Sequence, residues 1–173
     1  MKLPSTFTKD KNKIYVVIET PGGSRNKYDY NRENDFFELK KVLPAGTSFP
    51  FDFGFIPHTL GGDGDPLDVL VIADTPFFPG CIVECRVVGV LVVKQKEKGK
   101  QAIRNDRIIA VASESLNHSQ IQAINDINEN YLNEIINFFK YYNEMEGKKF
   151  HLVNKGNKDM AVKLIKKSIN DKK

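Results

Sequence analysis

The sequence has few of the residues that staple or anchor small proteins. It holds two cysteines, three histidines and no tryptophan in 173 residues. Cys81 and Cys85, four apart on a strand, would have Cα atoms ~13 Å apart, beyond disulfide reach. They read as small buried hydrophobes. His58, His118 and His151 have no zinc-ligand spacing, alone or with the cysteines. No apolar run approaches ~18 residues, so no membrane span is expected. The start, MKLPSTFTKDKNK, lacks an apolar core, so no secretory signal is expected and the chain is read as cytoplasmic. One absence is local. Between Lys41 and Arg86 there is no lysine or arginine, although the chain carries a formal charge of +4. That stretch holds Asp52, Asp63, Asp65, Asp68, Asp74 and Glu84.

What is present is ordinary for one globular domain spanning 1–173, with 40% apolar and 28% charged residues. The pattern predicts strands over 13–20, 36–40, 67–72, 82–94 and 107–112, with Gly89 marking a bend or bulge. Leu132, Ile135, Ile136, Phe139 and Tyr142 share one face of a helix over 128–146, with Gly147 after its end. A second amphipathic helix covers 159–169, acidic at its start and lysine-rich at its end. Strands first and two helices in the C-terminal third give an α+β fold: a small, strongly curved antiparallel β-barrel with flanking helices. Residues 94–107 carry six basic residues against Glu97 and Asp106. An acidic pole and a basic loop in one domain suit a metal–polyanion ligand; a solvated loop is the plain alternative.

The segment GGDGDPLDVL, 61–70, puts Asp63, Asp65 and Asp68 at the mouth of an apolar strand. Pro66 fixes its own φ and pushes Asp65 towards an extended conformation, and Gly64 allows a tight turn. Carboxylates converging on a partly apolar wall raise a pKa or gather a cation. With no soft ligand nearby, that cation is a hard one, Mg²⁺ or Mn²⁺. An EF-hand does not fit, because Leu67 and Asp68 fall at its fifth and sixth positions.

The pattern DGDPLDVL resembles the signature of the soluble, metal-dependent, barrel-forming inorganic pyrophosphatases. YVVIETPGGSRNKYDY (15–30), FPFDFGFIPHTL (49–60), PGCIVECRVVGVL (79–91) and NFFKYYNEMEGKKF (137–150) extend the likeness in order. The resemblance implies an OB-like barrel, a homo-hexamer, and hydrolysis of pyrophosphate by a water that a divalent metal, Mg²⁺ or Mn²⁺, activates. It implies Asp65 as the proton acceptor, and Asp63, Asp68 and Glu19 as metal ligands. Lys27, Lys41, Arg107 and Tyr142 then bind phosphate, with Asp29 in a supporting place.

The sequence also departs from that pattern. Lys41 stands for an arginine, Asp29 for a longer acid, Phe49 and Phe53 for tyrosines, and Asn143 for a lysine. Gln95 and Asn105 stand for aspartates, and Arg107 for a lysine. Glu97 or Asp106 are the substitutes for the missing acids. Two further readings follow: a degenerate homologue that binds metal and phosphate with little turnover, and a non-enzymatic barrel binding nucleic acid through 94–107. In the last, Phe49, Phe51, Phe53 and Phe55 would stack bases. Alternation at period two points instead to core filling, and nucleic acid is not the expected partner.

Overall fold

The computed structural model describes residues 2–170. Among these residues nine strands and two helices follow one another: β1 Ile14–Thr20, β2 Asn26–Asn31, β3 Phe36–Val42, β4 Asp52–Phe55, β5 Asp68–Ile72, β6 Ile82–Glu97, β7 Ile103–Arg104, β8 Arg107–Ala112, α1 Glu129–Met145, β9 Lys148–Asn157 and α2 Lys158–Asn170. A short 3-10 turn, Ile124–Asp126, precedes α1. Helix α1 starts where the Asn128 side chain accepts from the Asn130 amide at 2.9 Å. It stops at Gly147, whose φ of 70° suits glycine.

The main sheet runs β1-β4-β5-β8-β6, and β6 pairs back onto β1. The ring of hydrogen bonds therefore closes, which leaves those five strands without a bare edge. Two devices let so small a ring curve. At Gly54 a Cβ would lie 2.0 Å from the Val17 carbonyl oxygen, so only glycine lets β4 approach β1. At Gly89 the β6–β8 register shifts, and the added Cβ would meet Ile124 and the Gly156 carbonyl. The expected bulge at Gly89 is thus present.

One pairing departs from the antiparallel expectation. Strands β5 and β8 run parallel, with Asp68 opposite Arg107. Their starts lie side by side, and this one pairing brings an acid and a base together at the same end of the ring. Strands β2 and β3 form a separate hairpin, in which Lys27 pairs with Lys41 and Asp29 with Glu38.

Both sheet faces are buried. Val69, Val71, Ile108 and Ala110 pack on one face with Ile14, Val16 and Ile18, closed off by Ala161 and Ile165 of α2. Leu70, Ile72, Ile109 and Val111 point the other way and meet Leu132, Ile135, Ile136 and Phe139 of α1. The alternation along β5 and β8 is the period-two rule at work, with helices covering each side. Phe49, Phe53 and Phe55 are buried, as core filling requires.

Candidate active site

The acidic loop is held from beneath. The Thr59 hydroxyl, fully buried, donates to the Ile56 carbonyl at 2.7 Å and accepts from the Leu67 amide at 3.0 Å. Gly64 turns with φ 94°, the Gly61 amide donates to the Asp65 carbonyl at 2.6 Å, and the Asp65 amide donates to the Asp63 carboxylate at 3.2 Å. Asp63 and Asp65 stay exposed, whereas Asp68 lies partly buried at the start of β5. Burial pushes the Asp68 carboxyl up to about 6. The Arg107 guanidinium opposes the rise, and the Asp63 charge adds to it.

The loop forms one wall of a cavity of about 460 Å³. The rest of the lining comes from the β2–β3 hairpin, the β6–β7 region, α1 and β9. Lys27 is paired with Asp29, and Lys40 reaches the same carboxylate at 3.7 Å. Burial works against the Lys27 charge, but Asp29 outweighs it and the pKa rises. Lys41 is ion-paired with Glu146 and sits 4.8 Å from the centre of the Tyr142 ring. Its own pKa is lowered by burial, then by Lys27 and Lys148. Burial raises the Tyr142 pKa. Lys148 bridges Glu146 at 3.3 Å and Glu97 at 3.6 Å, and Glu97 also pairs with Lys100.

Arg107, at the start of β8, stands beside the acidic loop. It is 5% exposed and pairs with Asp68 at 2.9 Å. Asn105 braces it through both its backbone carbonyl, at 2.7 Å, and its side-chain oxygen. The Asn105 amide nitrogen in turn donates to Gln95 Oε1 at 3.2 Å. Every lysine and arginine of the cavity thus has an internal acidic partner. Among the described residues, Asp63 and Asp65 are the cavity carboxylates without an ion pair.

The structure brings Asp63, Asp65, Asp68, Lys27, Asp29, Lys41, Glu97, Arg107 and Tyr142 into this one cavity. Glu19 lines the adjoining space of about 360 Å³, which shares Asp65, Asp68, Lys27 and Asp29. It accepts from the Tyr30 amide at 2.8 Å, and burial pushes its pKa up to about 8. Asp106 is the exception. Its carboxylate is buried, accepts from the Val93 amide at 3.0 Å and the Arg104 Nε at 2.6 Å, and lies outside the cavity lining. It fastens β6 to the start of β8, which corrects its reading as a ligand. Asn143 is also turned away, buried and donating to the Phe139 carbonyl at 2.8 Å. Glu146 and Lys148 were missed from sequence. Glu146 stands four residues after Tyr142, one helical turn on, and that spacing was a usable signal. Lys148 opens β9, a strand too polar to recognise.

The donors fit a hard divalent cation by chemistry, since they are carboxylates with no thiol or imidazole among them. Among the described residues, no three acids, histidines or cysteines are already gathered into a closed ligand set. Asp63 and Asp65 are exposed on their loop beside Asp68.

A closed OB-like ring with unpaired carboxylates, lysines and an arginine gathered in one cavity is the architecture of a metal-assisted phosphoryl-cleaving enzyme. Residues 16–173 match the inorganic pyrophosphatase family, and the chain belongs to it. The inorganic pyrophosphatase of Synechocystis sp. is 36% identical over 160 residues, 92% of each chain. That of Thermus thermophilus is 44% identical over 136 residues, 79% of this chain and 75% of its own. The crystal structure of the Thermus thermophilus inorganic pyrophosphatase superposes with a TM-score of 0.88 at 36% identity, covering 98% of this chain and 96% of that one. The family is divalent-metal-dependent.

Proposed function

We propose that this chain hydrolyses pyrophosphate to two phosphates, using Mg²⁺, with Mn²⁺ as an alternative. The observation that carries the reading is the mixed lining of one cavity: Asp63, Asp65 and Asp68 share it with Lys27, Lys41 and Arg107. Asp63, Asp68 and, from the adjoining space, Glu19 hold the divalent ions. Bound there, such ions neutralise the substrate and make water a better nucleophile at neutral pH. Asp65, exposed and unpaired, accepts the water's proton. Lys27, Lys41, Arg107 and Tyr142 bind the phosphates and steady the leaving group, with Asp29 holding Lys27 in place. Glu97 positions Lys100 and Lys148 at the rim.

Phosphate release from pyrophosphate, measured with Mg²⁺, with Mn²⁺ and with a chelator, tests this. Turnover that needs the metal supports it, and no release with either ion sinks it. The low-turnover reading rests on one observation, the neutral Gln95–Asn105 pair at the cavity edge, and the same assay decides it. The nucleic-acid reading loses most of its stacking surface, because Phe49, Phe53 and Phe55 are buried and Phe51 is half-buried.

The chain is read as one domain, because both core clusters share β5, β6 and β8. Assembly as a homo-hexamer is supported by the family likeness and by exposed apolar residues such as Phe78 and Leu116; sedimentation velocity checks it. Among the described residues no helix is long and apolar enough to cross a membrane.

A further inference from the structure

We propose that Arg107 and a divalent cation are alternative partners of Asp68. When the cation takes the carboxylate, the guanidinium passes to a bound phosphate, and metal and phosphate bind cooperatively through this exchange. The proposal rests on the reading of the cavity as a metal and phosphate site.

The parallel β5–β8 register fixes Asp68 beside Arg107, with Nη1 2.9 Å from Oδ2. The other groups that grip the guanidinium are neutral. Asn105 accepts from it, and Gln95 holds Asn105 in the orientation that makes this possible. These amides aim the charge without cancelling it, and among the described residues Asp68 is the one acid paired with Arg107. A divalent ion on the same carboxylate stands within reach of an undiminished positive charge, and the two repel. Arg107 is also incompletely satisfied in this state. Its Nε is buried without a hydrogen-bond partner, so a donor stays unused until an acceptor arrives. Phe139 lies 5.2 Å beneath the guanidinium and gives it a surface on which to turn towards the cavity. Lys27 and Lys41 line that same cavity, so an anion there has two further cations beside Arg107.

The test is Mn²⁺ binding by calorimetry, with and without saturating inorganic phosphate, in the wild type, R107Q, R107K and D68N. Removing the competing charge in R107Q is expected to tighten Mn²⁺ on the order of tenfold. Phosphate is expected to tighten Mn²⁺ several-fold in the wild type, and by reciprocity Mn²⁺ tightens phosphate equally. R107Q loses most of this coupling, and R107K, which keeps the charge, retains it. Equal Mn²⁺ affinity and equal coupling in the wild type and R107Q overturn the exchange while leaving the metal site intact. No Mn²⁺ binding beyond that of D68N, with or without phosphate, overturns the exchange and the underlying reading together. In the wild type itself, the Arg107 Nε–H resonance, assigned by its loss in R107K, is expected to shift at saturating Mg²⁺. A resonance that does not move overturns the exchange without relying on the stability of R107Q.

Discussion

Three carboxylates within six residues take three different parts because their surroundings differ. Asp63 is exposed and caps the Asp65 amide, Asp65 is exposed and unpaired, and Asp68 is drawn in and paired with Arg107. Asp65 therefore has the freedom to take a proton. Asp65→Asn is expected to fold and bind Mn²⁺ normally while losing ~10²–10⁴-fold in turnover. A near-native rate would remove Asp65 from the chemistry. Glu19 gives a pH signature. Its neutral form is favoured in the folded chain, because burial lifts its pKa from the ordinary range to about 8. For a raised carboxyl the stabilising contribution is complete below 4.5 and is lost as pH rises through about 8. The metal-free protein should thus lose stability across that window, and Glu19→Gln should flatten the loss. Urea melts in chelator at both ends of the window measure the difference; parallel slopes would place the effect elsewhere.

At the scale of elements, strands with their own apolar pattern were legible and those defined by distant partners were not. Arg107–Ala112 was read with its bounds intact, and both helices to within one or two residues. β9, KKFHLVNKGN, carries few apolar residues and exists because β6 offers it a long edge. β4 is four residues long and contains the glycine that a strand ordinarily avoids. That glycine makes the fold testable. Gly54→Ala places a methyl against the Val17 carbonyl, which is backbone and cannot rotate away. The expected loss is about 3 kcal/mol or more, with the β1–β4 amides the first to lose exchange protection. The site was legible in the same partial way. The acidic loop is contiguous in sequence, so Asp63, Asp65 and Asp68 stood out together. The paired cations come from the β2–β3 hairpin, the β6–β7 loop, β8 and β9, and which acid each would find was fixed only by the closure of the ring.

At the scale of the whole molecule, the ring joins what would otherwise be two cores. Strands β5, β6 and β8 contribute alternate residues to both, which couples the melting of one core to that of the other. The acidic loop and β8 sit at one end of this shared sheet, and Asp68 begins one of its central strands. A cation bound at Asp68 therefore stabilises the entire folded chain and not a surface loop alone. Thermal unfolding is expected to be a single transition. At a Mg²⁺ concentration about 100 times its dissociation constant, mass action adds about 2.7 kcal/mol. For a chain of this size that raises the midpoint by roughly 5–10 °C. Asp68→Asn should melt in one step as well, yet gain little from Mg²⁺. Calorimetry with and without Mg²⁺ on both proteins checks each part. Two separate transitions would split the core into independent units, and an equal Mg²⁺ shift in Asp68→Asn would move the stabilising ion away from the ring.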